Sequence, residues 1–242
     1  MWYPPRMSLK ESKFFCHLYE SFHSPICDIN CGNKCSPYNE KGVPFCCDIN
    51  QAIPLAYQTE WEYLFSNTDL WHLWKPENIQ IYKQLQNQVS SNQVLIECLG
   101  HSQCKRNYRS ITCRAFPFFP YINQENNFLG LTYYWEYEDR CWIISNLNLV
   151  SNKYRNEFVA AFDTLFDLMP EELETYIHHS IVARQIYKRR TRSIPLLHRN
   201  NYNYMISPRT GQLLKTNLDN SPKYGPYKIA SELPFPDELN ED

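Results

Sequence analysis

Cysteine placement constrains this chain more than any other feature of its sequence. Nine of the ten cysteines form two runs and one isolated position: Cys27, Cys31, Cys35, Cys46 and Cys47, then Cys98, Cys104 and Cys113, and finally Cys141. A chain of 242 residues can bury an adequate core without crosslinks, so the thiols are not needed to rescue a small fold. Their bunching predicts a metal ion or an iron-sulfur cluster held by thiolates.

Composition and charge limit which classes of partner and which cellular compartment we expect. The chain is 43% hydrophobic and 21% charged, and its formal net charge of -2 offers no general attraction for nucleic acid or anionic lipid. The first residues lack the apolar stretch of a secretory signal, and no run of about 18 apolar residues could cross a bilayer. We therefore expect a cytoplasmic protein without a nucleic-acid or membrane partner. Thiols stay available as ligands in that reducing compartment, whereas an oxidising one would favour a disulfide-stapled binding module.

The first run has the spacing C-x3-C-x3-C and is followed by the adjacent pair Cys46 and Cys47. Thiolates suit zinc or iron-sulfur centres, but this spacing matches neither the C-x2-C pairs of zinc ribbons nor the C-x2-C-x2-C run of bacterial ferredoxins. Zinc and an iron-sulfur cluster therefore both stay open. Adjacent cysteines in an extended segment point to opposite sides, so one of the pair is expected to pack or to serve a second site.

Two further ligand candidates are set aside. Cys16 lies in a predicted amphipathic helix beside Phe15, where a lone cysteine is more often a small core residue. His101 lies between Cys98 and Cys104, but with several thiols nearby we do not expect an imidazole ligand. We expect His101→Ala to leave the metal content unchanged.

The second run carries a longer motif, which reads Cys98-Leu-Gly-His-Ser-Gln-Cys104 and then Tyr108-Arg109-Ser-Ile-Thr-Cys113-Arg114-Ala-Phe116-Pro117. From Cys27 to Cys141 the chain resembles the CxxCxxCC family, the YkgJ-like cysteine-cluster proteins, which are thought to chelate zinc or iron. The cysteine cluster also resembles that of the flagellin lysine methylases, which use S-adenosylmethionine. The first resemblance implies a metal-chelating region, and it does not extend to the C-terminal helices.

We therefore predict a metal- or iron-sulfur-cluster-binding protein of unknown process. Its ligands would be the nine clustered thiols: Cys27, Cys31, Cys35, Cys46, Cys47, Cys98, Cys104, Cys113 and Cys141. The expected cofactor is an iron-sulfur cluster of the 4Fe-4S type or zinc, and catalytic residues stay unassigned. The alternative is an S-adenosylmethionine-dependent protein lysine methylase with a structural iron-sulfur cluster. The six glycines form neither G-x-G-x-x-G nor a phosphate loop, so that enzyme would need a cofactor site other than the Rossmann type.

Three arginines, Arg109, Arg114 and Arg140, lie close to cysteines in the sequence. Several thiolates in one site would leave it anionic, and a guanidinium can offset that charge while donating hydrogen bonds to sulfur. The alternative for each arginine is an ordinary surface salt bridge.

The pattern of the remaining residues predicts an α+β fold that is predominantly α-helical and metal-stabilised, with long irregular cysteine-rich loops and a small β element. A cysteine-cluster domain is expected over 1–199, followed by an extended tail over 200–242. Apolar spacing and helix-start signals predict α-helices from Asn152 to Leu168 and from Pro170 to about Lys188, within a helical region over 152–190. Short strands are predicted at 94–96 and within 128–137. Thr59 and Glu62 predict a helix start by a capping box.

Overall fold

The structure is a computed structural model that describes residues 9–76, 78–87, 89–90, 92–219 and 221–230. The chain forms two compact units. Unit 1 consists of the described residues up to His23 together with Cys46–Ala115, and unit 2 consists of Ser24–Phe45 together with the described residues from Phe116 onward. The chain thus leaves unit 1 before the first cysteine run and re-enters it at Cys46, so the cysteine-rich region is divided between the units.

The elements follow in chain order. The α-helices are α1 (Leu9–Ser21), α2 (Cys31–Cys35), α3 (Gln58–Asn67), α4 (Ile79–Gln86), α5 (Ile111–Ala115), α6 (Asn152–Leu168), α7 (Pro170–Arg189) and α8 (Tyr227–Ala230). The β-strands are β1 (Leu55–Tyr57), β2 (Trp71–Leu73), β3 (Gln93–Cys98), β4 (Phe118–Ile122), β5 (Phe128–Tyr133), β6 (Ile194–His198), β7 (Asn203–Ile206) and β8 (Leu213–Lys215). Short 3-10 helices connect several of them.

Unit 1 is built around a three-stranded antiparallel sheet in the order β1-β3-β2. The central strand β3 contains the predicted strand 94–96 and places Cys98 opposite Trp71 of β2. Helix α1 buries Phe15 and Leu18 on one face, as their helical spacing predicts, and packs against α3. Phe22, just after the end of the helix, is buried too. Cys98 is the last residue of the central strand.

Unit 2 contains a five-stranded antiparallel sheet in the order β4-β5-β6-β7-β8, in which neighbours in sequence are neighbours in space. Helices α6 and α7 pack on β5 and β4. The predicted starts of both helices are confirmed: the Ser151 hydroxyl accepts a hydrogen bond from the Tyr154 amide at 3.1 Å, and Pro170 occupies the first turn of α7. The bounds of α6 match the prediction, and α7 ends at Arg189.

The prediction of a predominantly helical fold with a small β element is wrong, because the described residues contain two antiparallel sheets of three and five strands. Sequence reasoning misses β4 and β6 because Pro120 and Pro195 lie inside them. Both strands are buried along nearly their whole length, so no alternation of apolar and polar residues marks them. Proline is tolerated in β4 because β4 is an edge strand. In β6, Pro195 lies opposite Met205 of β7, and the pairing with β5 involves Leu197 and His198 instead.

The prediction that the fold is metal-stabilised is also wrong. Within the part of the chain that the structure describes, no three or more histidine, cysteine, aspartate or glutamate side chains lie in position to hold a metal ion. Hydrogen bonds shape the cysteine-rich loops instead. For example, Arg114 donates to the backbone carbonyls of Tyr19, Arg109 and Asn107 at 2.7–3.0 Å. These bonds hold the backbone on either side of Cys113.

The segment from residue 200, expected as an extended tail, contributes β7, β8 and α8. A turn at Arg209, Thr210 and Gly211 joins β7 to β8, and Gly211 adopts a positive φ of 74°, which glycine tolerates best. The acidic end, 231–242, lies outside the described residues. No helix in the described ranges is both long and apolar enough to cross a membrane.

Candidate functional site

The nine predicted ligands fall into two groups that lie in different units. Group A lies in unit 2 and consists of Cys27, Cys31, Cys35 and Cys141. Group B lies in unit 1 and consists of Cys46, Cys47, Cys98, Cys104 and Cys113. No disulfide joins any of the ten cysteines, all of which lie among the described residues. Cys16, expected in the core, is exposed, so that prediction is wrong.

Helix α2 sets the geometry of group A. It begins at Cys31 and ends at Cys35, so the two thiols lie one turn apart on the same face. The Asn30 side chain caps the helix by accepting a hydrogen bond from the Gly32 amide at 3.1 Å. A Cβ on Gly32 would come within 2.9 Å of the Pro44 ring, so glycine is needed for this close packing. The Cys27 thiol lies beside this helix and forms a side-chain hydrogen bond with Cys31.

Cys141 enters group A from the start of a 3-10 helix, Trp142–Leu149, that packs against α2. Burial and then the charge of Cys35 raise the pKa of Cys141 to about 12, while backbone N–H groups of Ile143 and Ile144 donate to the sulfur and oppose that rise. These amides belong to the first turn of the helix, where N–H groups have no partner within the helix. These two backbone amides therefore stabilise the thiolate form of Cys141.

The thiols of group A act strongly on one another. The hydrogen bond that the Cys31 thiol donates to Cys27, then burial, and then the charges of Cys141, Cys27 and Cys35 raise the pKa of Cys31 far above its ordinary value. Neighbouring buried thiols stay protonated unless a cation joins them, because their thiolate forms would repel one another. A metal ion would displace those protons and offset the charge.

Tyr227 of α8 covers group A. Its side chain is buried, its hydroxyl donates to the Arg140 carbonyl at 2.6 Å, and its ring meets the edge of Tyr38 at a centroid distance of 5.5 Å. Burial and then the charges of Cys35 and Cys141 raise the pKa of the Tyr227 hydroxyl. This residue lies far from the cysteine runs in sequence, and no motif around it indicates the role.

In group B, a buried carboxyl holds the short helix that carries Cys113. The fully buried Glu60 side chain of α3 accepts hydrogen bonds from the Ile111 amide at 2.7 Å and from the Tyr19 hydroxyl at 2.6 Å. Burial raises the pKa of Glu60 from 4.5 to about 7, although its hydrogen bonds and the charge of Arg114 oppose that shift. Glu60 thereby fixes the first amide of α5.

The start of α3 also corrects a sequence prediction. The helix begins at Gln58, and the carboxylate that reaches back to the backbone is that of Glu60, which accepts from the Tyr57 amide at 3.3 Å. The predicted capping box of Thr59 and Glu62 is therefore displaced. Sequence reasoning does not single out Glu60, because a carboxylate in the first turn of a helix is normally exposed to solvent.

Two hydroxyl groups form further hydrogen bonds around Cys113. The Ser110 hydroxyl accepts from the Cys113 amide at 3.2 Å, and the Thr112 hydroxyl donates to the Leu55 carbonyl at 2.6 Å. Burial raises the pKa of Cys113 to about 12; the bond to Ser110 opposes this, and the charges of Cys47 and Cys98 add to it. These bonds of Ser110 and Thr112 hold the backbone that carries the Cys113 thiol.

A tight turn after β3 joins Cys98 to Cys104. Gly100 takes a φ of 98°, which L side chains rarely adopt, and its amide donates to the Cys98 sulfur. The turn leads into a 3-10 helix, His101–Gln103, that ends at Cys104. His101 is exposed on this helix.

Arg109 is the cation of group B. Its Nε donates to the Cys104 sulfur at 3.1 Å, and this bond with the thiolate charges raises the pKa of the guanidinium in spite of burial. Arg109 is thus one of the three arginines proposed to offset thiolate charge, and it bonds to sulfur. Arg114 donates to backbone carbonyls and stacks over Tyr19 at 4.2 Å, and Arg140 pairs with Asp139.

The adjacent pair differs from the extended geometry assumed in the sequence analysis. Cys46 and Cys47 lie in a 3-10 turn, Phe45–Cys47, with their sulfurs 3.9 Å apart. The hydrogen bond from Cys46 lowers the pKa of Cys47 to about 7, and the charge of Arg109 adds to that effect while burial opposes it. Cys46 is exposed, whereas Cys47 is half-buried. The turn brings both sulfurs to the same side.

Each group presents thiols alone as its donors, which fits a soft metal or an iron-sulfur cluster. In the described ranges these thiols do not stand at metal-binding separations, so the fit concerns the donor set and its charge. No protein-family model, no curated protein and no solved structure matches the chain.

Proposed function

We propose that this protein binds soft metal through cysteine thiolates at two separate centres, one at group A and one at group B. The observation that carries the proposal is the proximity of thiols within each group: Cys31 is hydrogen-bonded to Cys27 in group A, and the sulfurs of Cys46 and Cys47 are 3.9 Å apart in group B. Neighbouring thiolate charges also raise the pKa values of Cys31 and Cys113. Neighbouring buried thiols repel one another when ionised, and a bound cation relieves that repulsion.

The number of donors in each group supports a complete thiolate centre. Group A supplies four cysteines and group B supplies five, and both a four-thiolate zinc ion and a 4Fe-4S cluster take four. When bound, an iron-sulfur cluster would supply one-electron transfer, whereas a zinc ion with four thiolates has no open position for a substrate. The residues of the chain hold the donors, exclude water and offset charge.

The proposal includes a reducing compartment such as the cytoplasm. Thiolate ligands require reduced cysteines, and the ten cysteines stand without disulfides. The resemblance of the second cysteine run to the YkgJ-like proteins stays a hypothesis that agrees with metal binding.

Anaerobic isolation without chelators, followed by metal and acid-labile sulfide analysis, tests the proposal. A brown protein with about eight iron atoms and as many sulfides per chain would indicate two 4Fe-4S clusters, and a colourless one with about two zinc ions would indicate two zinc centres. Cys16→Ser is the matched control and should keep the full metal content. A protein that carries no transition metal, and takes up none on reconstitution, would contradict the proposal.

A further inference from the structure

The turn that carries Cys46 and Cys47 places two thiols side by side at the surface of unit 1. Their sulfurs are 3.9 Å apart in the 3-10 turn Phe45–Cys47. Cys46 is exposed and Cys47 is half-buried, so a small oxidant in solution can reach the first sulfur while the second lies next to it. Solvent access together with a neighbouring thiol is what makes a cysteine pair sensitive to reversible oxidation.

A disulfide between these adjacent residues would be strained. The sulfurs of a disulfide are about 2.05 Å apart, so those of Cys46 and Cys47 must approach by about 1.9 Å, which the exposed Cys46 side chain can do by rotating. Consecutive Cα atoms are only about 3.8 Å apart, whereas disulfides usually join Cα atoms about 4.4–6.8 Å apart. Strain makes a disulfide easier to reduce, so this bond would be reversible and would not serve as a permanent crosslink.

We propose that Cys46 and Cys47 form a reversible disulfide and so constitute a redox-sensitive site. A hydroperoxide oxidises the exposed Cys46 thiol to a sulfenic acid, and its O–O bond is reduced to an alcohol and the sulfenic oxygen, or to water and that oxygen if the oxidant is hydrogen peroxide. The Cys47 sulfur then attacks the Cys46 sulfur; the S–S bond forms as the S–O bond breaks, and the Cys47 proton leaves with the oxygen as water. Two molecules of a low-molecular-weight thiol reverse the step, becoming a disulfide themselves while both cysteines regain their protons.

This disulfide requires no bound metal and goes beyond the proposed function. It nevertheless affects that function, because it takes two of the five thiols of group B and leaves three: Cys98, Cys104 and Cys113. Three thiolates are fewer than a four-thiolate centre needs. Oxidation of the pair would therefore prevent group B, but not group A, from providing such a centre.

Treatment of the metal-free, reduced chain with hydrogen peroxide tests the proposal. The remaining thiols are then alkylated under denaturing conditions, and the chain is digested with trypsin. The expected peptide 42–83 contains Cys46 and Cys47 and no other cysteine. Mass spectrometry should find this peptide without alkylation and lighter by two hydrogen atoms than its reduced form. Glutathione added before alkylation should restore two alkylated thiols in it.

The control is Cys16→Ser, which removes the exposed thiol of α1 and should leave oxidation of the pair unchanged. Cys46→Ser should retain one alkylated thiol, that of Cys47, in the same peptide after treatment. A doubly alkylated peptide 42–83 in the treated wild-type chain would overturn the proposal, and so would its linkage to the peptide that contains Cys98. Because the chain is metal-free throughout, a failure of metal binding leaves these outcomes unchanged, and the two proposals fail separately.

Discussion

Groups A and B offer the same donor atom in different surroundings. In group A, backbone amides of Ile143 and Ile144 face Cys141, and buried Tyr227 covers the sulfurs. In group B, the side chain of Arg109 donates to Cys104, and the pair at Cys46 opens the group to solvent. Thiolate charge is thus compensated by helix amides in one unit and by a guanidinium in the other.

The difference has a chemical consequence. Backbone amides carry partial charges that cannot leave the site, whereas a guanidinium brings a full positive charge. With the same metal, the centre at group B should be one charge less negative than the centre at group A. We therefore expect the two centres to differ in affinity and in rate of exchange, with group A the slower to release its metal.

Removing one thiol from each group should give the largest effect. We expect Cys31→Ser and Cys98→Ser each to lose about half of the bound metal, because a four-thiolate centre with three thiolates no longer retains it. Metal analysis after gel filtration measures the loss, and the double variant should be empty. Loss of all metal in either single variant would show that the nine cysteines serve one centre, and would break the comparison.

Replacing Glu60 should alter the pH dependence of stability in unit 1. The pKa of Glu60 rises from 4.5 to about 7 on folding, so its neutral form is favoured, and its contribution is complete below pH 4.5 and lost as the pH rises through 7. This shift corresponds to roughly 3 kcal/mol between pH 5 and pH 8. Glu60→Gln should therefore flatten the pH dependence of the urea midpoint, measured with a chelator present.

Glu62→Gln is the matched control, since Glu62 lies half-buried on the same helix α3. It should keep the wild-type loss of stability between the two pH values. A wild-type protein that is as stable at pH 8 as at pH 5 would show that Glu60 is ionised throughout, and would remove its assigned role.

Arg109→Gln should weaken metal binding at group B alone. The lost hydrogen bond to Cys104 and the lost charge should cost about 10- to 100-fold in affinity, as removal of groups that support metal ligands typically does. Chelator competition in the Cys31→Ser background measures group B, and the Cys98→Ser background measures group A. Arg106→Gln is the control, because the Arg106 Nε donates to the His23 carbonyl. An equal loss at both groups would contradict the assignment.

Tyr227→Phe should give the smallest effect. It removes the hydroxyl that donates to the Arg140 carbonyl but keeps the ring over group A. A hydrogen bond of about 1 kcal/mol corresponds to roughly fivefold faster loss of metal from group A to a chelator. Tyr38→Phe, which keeps the neighbouring ring, should leave the rate alone. An unchanged rate in Tyr227→Phe would show that α8 does not restrain the group.

The sequence predicts the parts of the fold that depend on local signals. Helices α6 and α7 follow from apolar spacing together with Ser151 and Pro170, and β3 follows from its β-branched run. The strands β4 and β6 are not predicted, because each contains a proline and is buried on both faces. These features are compatible with a strand only in the presence of the partner strands and the helices that pack on them. Sheet pairing depends on distant residues, so local pattern cannot show it.

The candidate site also has features that local sequence predicts and features that depend on distant residues. Cysteine bunching predicts which residues matter, but it does not predict that they separate into groups A and B, because that depends on where the chain enters each unit. Arg109 was expected beside thiolate and forms that bond, whereas the equally plausible Arg114 binds carbonyls. Glu60 and Tyr227 carry no motif, and their roles arise from burial alone.

The most direct measurement of the central claim is X-ray absorption at the metal edge of the anaerobically isolated chain. Two thiolate centres predict a ligand shell composed only of sulfur, at about 2.3 Å for zinc, in wild type and in both the Cys31→Ser and Cys98→Ser backgrounds. A shell that contains nitrogen or oxygen ligands in wild type, or an absence of metal altogether, would contradict the account.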